Sequence, residues 1–156
     1  MSTTPAFRIV PLPFAVVERT RRTLTDDCGH PLRVIVNPQP GNPCRFTLRQ
    51  SPAGEELILM SYSPFKHDHP YREIGPVFIR RHGDAGYADV HRFPPEIDPA
   101  TRVFRSYNAA EEIVDAHVGT PDPEALIARL FANPLAECIH VRSLTYGCFT
   151  FKIERA

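Results

Sequence analysis

Seventeen prolines in 156 residues, about twice the average usage of roughly 5%, limit how long any element of this chain can run. Each proline fixes one backbone dihedral and removes one hydrogen-bond donor. Short elements joined by stiff turns satisfy that distribution, and long helices do not. The densest cluster, Asn37-Pro38-Gln39-Pro40-Gly41-Asn42-Pro43, ends whatever precedes it and fixes the approach to Cys44.

Between the prolines the apolar pattern is mainly that of strands. Phe7-Arg8-Ile9-Val10 and Leu32-Arg33-Val34-Ile35-Val36 read as short strands, the second rich in β-branched residues. Cys44, Phe46 and Leu48 alternate with Arg45, Thr47 and Arg49, which predicts a half-buried strand. Glu56-Leu57-Ile58-Leu59-Met60 is apolar on both faces and reads as a central strand. It is separated from Val77-Phe78-Ile79-Arg80 by a loop spanning Tyr62 to Pro76. Thr101–Tyr107 and Ile113–Val118 flank Asn108-Ala109-Ala110 as a hairpin, whereas Gly83 to Pro99 reads as irregular. A last hairpin joins Cys138–Arg142 to Cys148–Ile153. Pairing Arg142 with Cys148 sets His140 opposite Thr150 and Cys138 opposite Lys152, and collects Ile139, Val141, Phe149, Phe151 and Ile153 on one face.

Two stretches have helical spacing. Pro13 suits a first helical turn before Phe14, Val17 and Leu24. In the second, Asp122 is an N-cap, Pro123 occupies the first position, and Asn133-Pro134 stops a helix whose apolar face is Leu126, Ile127, Leu130 and Phe131. The fold class expected is α+β: a mostly antiparallel sheet with one or two packed helices, in a single domain over residues 1–156.

Lys plus Arg equals Asp plus Glu at 18 each, so no long-range field draws nucleic acid or an anionic membrane. The basic clusters at Arg19-Arg21-Arg22 and Arg80-Arg81-His82 are too short to change that. No apolar run approaches the roughly 20 residues of a membrane span. The N-terminus, with Pro5, Pro11 and Pro13, lacks the form of a signal peptide. A cytoplasmic protein is expected, with Cys28, Cys44, Cys138 and Cys148 as reduced thiols.

The chemistry-bearing residues concentrate in the 62–76 loop and the segments around it. His67-Asp68-His69 places two imidazoles on one side of an extended segment, a weak metal-ligand pattern. Asp26, Cys28 and His30 form a similar cluster, but neither has paired Cys-X-X-Cys or helical His spacing. No nucleophile elbow and no phosphate-cradling glycine loop is present, so no cofactor is expected. Cys148, with His140 and Arg142 nearby in the hairpin, is the candidate nucleophile. An unpaired Cys is more often a small buried hydrophobe, and Cys44, sharing a face with Phe46 and Leu48, suits that role. Arg45 and Arg72 offer planar guanidinium forks and Tyr71 a stacking face, although arginines at such loops also serve to tie backbone carbonyls.

Several of these stretches together resemble a bacterial family known only as domain of unknown function 1203. They are Pro40-Gly41-Asn42-Pro43-Cys44-Arg45, the Leu57–Tyr62 strand, Pro70-Tyr71-Arg72-Glu73-Ile74-Gly75-Pro76-Val77-Phe78-Ile79, Ile113-Val114-Asp115-Ala116, and His140-Val141-Arg142 with Gly147-Cys148. The resemblance implies a single-domain bacterial protein and no particular activity. It adds weight to Cys44, Arg45, Tyr71, Arg72, His140 and Cys148, which lie inside the matching segments.

The expected function is therefore binding of a small polar or anionic ligand in a cleft between the 62–76 loop, the 40–45 turn and the polar face of the C-terminal hairpin. Arg45 and Arg72 would hold the anion, Tyr71 would stack on it, and Cys44 lies beside them. His140 would move protons and Cys148 would act as nucleophile. The alternative is a non-catalytic interaction module, with a second copy of the chain as one partner, using Tyr71 and the sheet edge. A metal-dependent hydrolase using His67 and His69 ranks last.

Overall fold

In the computed structural model, which describes residues 6–83 and 85–156, eight strands and two helices follow one another. The strands are β1 (Phe7–Val10), β2 (Val34–Val36), β3 (Glu56–Tyr62), β4 (Gly75–Arg80), β5 (Arg102–Tyr107), β6 (Ile113–Val118), β7 (Cys138–Ser143) and β8 (Phe149–Arg155). Helix α1 (Phe14–Thr23) lies between β1 and β2, and α2 (Pro123–Phe131) between β6 and β7. The strands form a five-stranded sheet in the order β1-β8-β7-β5-β6 and a three-stranded sheet in the order β2-β3-β4. Every pairing is antiparallel, and the fold class is α+β.

Both helices end where their sequences dictate. The Asp122 carboxylate accepts the Ala125 N–H at 3.0 Å, a cap that contributes about 1 kcal/mol. Leu126, Ile127, Leu130 and Phe131 bury the apolar face of α2 against one side of the five-stranded sheet. Arg155 closes the other end of α2, donating to the carbonyls of Phe131, Asn133 and Ala136. Helix α1 starts after Pro13 and stops at Leu24, whose left-handed φ of 48° turns the chain out of the helix. Among the described residues no helix is long and apolar enough to cross a membrane.

The segment from Cys44 to Arg49 is a compact turn and not the strand its alternation predicts. Leu48, at φ 54°, donates to the Cys44 carbonyl at 2.9 Å, and Cys44 donates to the Arg49 carbonyl at 3.0 Å. Cys44, Phe46 and Leu48 are nonetheless buried, so the alternation reports burial. Only part of the segment's backbone bonding is local: the Arg45 N–H donates to the Phe78 carbonyl of β4 at 3.0 Å, and the Arg45 carbonyl accepts the Leu12 N–H at 3.0 Å.

The C-terminal hairpin departs from the expected register by one residue at Arg142 and by two at His140 and Cys138. His140 stands opposite Lys152 and Cys138 opposite Glu154, and Arg142 pairs with Phe149 rather than Cys148. A β-bulge lies between these pairings, with Thr150 as the extra residue. Because side chains alternate along a strand, the extra residue turns Phe149 away from Phe151. Phe151 joins Ile139, Val141 and Ile153 in the core under α2. Phe149 instead joins Val17, Ile58, Met60, Val77 and Ile79 beneath the smaller sheet. The opposite, polar face of the hairpin is also covered. Phe65 from the 62–76 loop packs edge-on against Tyr107 and His140 at 5.3 and 5.0 Å, leaving His140 2% and Arg142 5% exposed.

Candidate functional site

Arg45 is a buried cation without a carboxylate partner among the described residues. Its side chain leaves the 44–49 turn, donates from Nε to the Phe149 carbonyl at 2.8 Å, and donates from Nη1 to the Pro43 carbonyl at 2.6 Å. Burial lowers its pKa to about 10, with Cys148 opposing that shift and Arg102 adding to it, so it stays protonated at neutral pH. Buried charges in proteins are normally paired, since taking an ion out of water is costly.

Beside Arg45 opens a cleft of about 580 Å³ between the 40–45 turn, the start of β5 and the turn of the C-terminal hairpin. Arg102, Ser143, Thr145, Cys148 and Thr150 line it, and among the described residues no Asp or Glu does. Arg102 enters β5 directly after a 3-10 turn at Pro99–Thr101 and stands opposite Ser143 of β7. Its Nη1 donates to the Thr101 carbonyl at 3.1 Å, while its Nε is buried without a partner. Thr150, the bulge residue, is 1% exposed and its Oγ1 also has no hydrogen-bond partner. The cleft thus presents two guanidinium groups and unsatisfied polar atoms; among the described residues no acidic side chain lines it, the Asp98 carboxylate acting on Arg102 from outside the lining.

On the other side of the hairpin turn lies a second cleft of about 510 Å³, lined in part by Arg72, Glu73, Arg105 and Arg142. Here the charges are partly matched. The Glu73 carboxylate is 2.8 Å from Arg142 Nη2 and 3.1 Å from Arg105 Nη1. Arg142 also donates from Nη1 to the Gly147 carbonyl at 3.2 Å and lies over the Phe149 ring at 6.0 Å. Pro76, Tyr146 and Cys148 line both clefts, so the Cys148 thiol stands between them.

The expected single cleft is therefore divided. Arg45 and Cys148 share the first part, and Arg72 and Cys148 share the second. His140 belongs to neither. Burial, with Arg142, Lys152 and Arg105 nearby, holds its imidazole pKa down at about 3, so it is neutral near pH 7. Its ring lies tilted against Tyr107, centroids 4.4 Å apart, and borders a separate recess with Lys66, Glu111 and Lys152. Tyr71 is 44% exposed, beside His69, and lines neither cleft. Cys44 is fully buried behind Arg45, its Sγ accepting the Arg80 N–H at 3.4 Å.

His67 and His69 point their Nε2 atoms toward Glu111 Oε1 at 3.9 and 3.8 Å. That carboxylate already accepts the backbone N–H groups of Lys66 and His67, which makes it an anchor for the loop. Asp26, Cys28 and His30 do bring three ligand atoms within 4.8 Å of one another. Burial opposes ionisation of Asp26, but hydrogen bonds from Ser61, His30 and Cys28 outweigh it and hold the carboxyl pKa at about 2. With four such bonds its oxygens are committed to fastening the 26–30 turn to β3.

Arg102, Arg105 and Thr150 are the lining residues that the sequence does not single out. Nothing local marks Arg102 or Arg105, because their place depends on β5 lying beside β7. Compared with known proteins, the chain matches over residues 41–155 a family described as "Protein of unknown function (DUF1203)". No curated protein and no solved structure matches it.

Proposed function

The chain belongs to the DUF1203 family, and we propose that it binds a small anionic ligand, carrying a carboxylate or phosphate, in the cleft between the 40–45 turn and the C-terminal hairpin. One observation carries this reading: Arg45 is 6% exposed and, among the described residues, has no carboxylate partner and borders a cleft lined by no acidic side chain. An anion there supplies the missing counter-charge. Its oxygens accept from Arg102, which is only partly buried, and from the Thr150 hydroxyl. The cleft volume lies within the range of small-molecule sites.

Arg72 falls in the neighbouring cleft, where Glu73 competes for the cations, so the anion is assigned to the Arg45 side. Among the described residues the same cleft offers no carboxylate or imidazole as a general base, which favours binding over acyl or phosphoryl transfer. The test is thermal denaturation with inorganic phosphate and with malonate, on wild type and on Arg102→Ala. Saturating ligand is expected to stabilise the wild type by roughly 2–3 kcal/mol at a hundredfold excess over Kd. Arg102→Ala should lose most of that gain. Equal responses in the two proteins would refute the assignment.

A further inference from the structure

Among the described residues, the Cys148 thiol is the one thiol bordering this cleft. It is partly exposed, and its Sγ makes only a weak contact with the Tyr146 carbonyl at 3.8 Å. It lies close enough to Arg45 for their charges to interact. The deeply buried Thr150 hydroxyl, unpartnered in the same cleft, independently marks the space beside the thiol as one prepared for a polar group.

The surroundings restrict which thiol chemistry is feasible. Acyl transfer needs a base to take the proton and donors aimed at a developing oxyanion. Among the described residues no imidazole or carboxylate lines this cleft, and His140 is buried elsewhere as a neutral ring. Thiol–disulfide exchange has lighter requirements: a thiolate, an open approach, and a leaving thiolate that cations can stabilise.

We propose that Cys148 exchanges with a low-molecular-weight disulfide bearing a carboxylate, which the Arg45–Arg102 cleft holds by its anionic group. The Cys148 thiol gives its proton to solvent, and the thiolate electron pair bonds to the nearer ligand sulfur. The ligand S–S bond breaks, and its electron pair departs on the second sulfur, which takes up a proton. The products are a mixed disulfide at Cys148 and one free small thiol, so the ligand disulfide is the only oxidant consumed.

The other cysteines are badly placed to resolve that product. Cys44 is wholly buried, and Cys138 lines the recess beside His140, where burial pushes its pKa up to about 11. Cys28 lies on the 26–30 turn and lines neither cleft. The mixed disulfide therefore persists until an external thiol reverses it, and while present it keeps its own carboxylate in the anion cleft. Cys148 is in this sense a reversible modification site that blocks the cleft it borders.

This inference rests on the anion-binding reading, and its test separates the two. The full-length protein is reacted with anionic dithiobis(nitrobenzoate) and with neutral dithiodipyridine, and each cysteine is followed by peptide mass spectrometry. Exposed Cys28 serves as the internal reference. At Cys148 the anionic reagent should gain roughly tenfold or more over the neutral one, relative to the same ratio at Cys28. Phosphate added to the wild type should suppress that gain. Arg102→Ala should abolish it, and Arg102→Lys should retain part of it.

If phosphate stabilises the wild type through Arg102 but Cys148 stays unmodified, the thiol inference fails and anion binding stands. If Cys148 reacts with no charge preference and phosphate gives no stabilisation, both are overturned.

Discussion

Arg142 Nη2 and Glu73 Oε2 meet at 2.8 Å, and through that ion pair the 62–76 loop is fastened to the C-terminal hairpin. The two ends differ in character: Arg142 is 5% exposed, whereas the Glu73 side chain is about half exposed. Removing the carboxylate strands a buried guanidinium, which costs more than the pair itself contributes. Glu73→Gln is expected to destabilise the protein by roughly 1–3 kcal/mol, the exposed end of the pair reducing the full cost of an orphaned charge. Urea denaturation of wild type and variant measures it. A change below about half a kcal/mol would mean that solvent already satisfies Arg142.

His140 gives stability a pH dependence of predictable sign. Its folded pKa of about 3 lies below the ordinary value near 6.5, so between those values the unfolded chain binds the extra proton. The stabilisation is complete above about pH 6.5 and is lost as pH falls. From pH 7 to pH 5 the loss should approach roughly 2 kcal/mol. Asp26 titrates with a folded pKa of about 2 and does not contribute in this interval. His140→Phe, which keeps an aromatic ring against Phe65, Tyr107 and Phe149, should flatten the pH profile of unfolding free energy over the same range.

Arg45 and Arg102 should separate in a stability measurement although they share a cleft. Arg45 ties the 44–49 turn to β8 through the Phe149 carbonyl, and Arg45→Ala should cost roughly 2–4 kcal/mol without any ligand. Arg102 bonds only to neighbouring Thr101, so Arg102→Ala should change stability by about 1 kcal/mol or less. Chemical denaturation in ligand-free buffer tests this ordering, and its reversal would make Arg102 the structural residue.

Gly119 controls where Arg102 starts. A Cβ at Gly119 would sit 1.9 Å from the Pro99 carbonyl oxygen, a backbone atom with little freedom to yield. The Gly119 N–H also donates to the Arg102 carbonyl at 2.8 Å. Gly119→Ala should therefore cost at least about 2 kcal/mol and, by shifting the turn before Arg102, weaken the response to phosphate. A variant with wild-type melting and wild-type phosphate response would refute this coupling.

Local chemistry was legible in the sequence. The α2 boundaries follow from Asp122, Pro123 and Asn133-Pro134, and β3 is central, as its two apolar faces imply. Burial was legible too, even where conformation was not: Cys44, Phe46 and Leu48 point inward from a turn that alternation alone presents as a strand. Long-range register was hidden. A bulge leaves no composition signal, so Phe149 looks equally suited to either face until the Val141–Phe151 and Arg142–Phe149 pairs are seen together. The division of one expected cleft into two has the same origin. It depends on where the hairpin turn projects and on β5 being the neighbour of β7, which pattern along the chain does not encode.

The surplus residue at Thr150 has a consequence for how chains of this kind can diverge. Phe149 gives its carbonyl to Arg45 and its ring to Arg142 and His140, so one backbone position serves the margins of both clefts. Changing a side chain between Gly147 and Phe151 leaves the Phe149 carbonyl where Arg45 meets it, but deleting a single residue there would regularise the ladder and rotate Phe149 through half a turn. Both arginines would lose their neighbour in that one event. Chain length across these few positions is therefore under tighter constraint than residue identity.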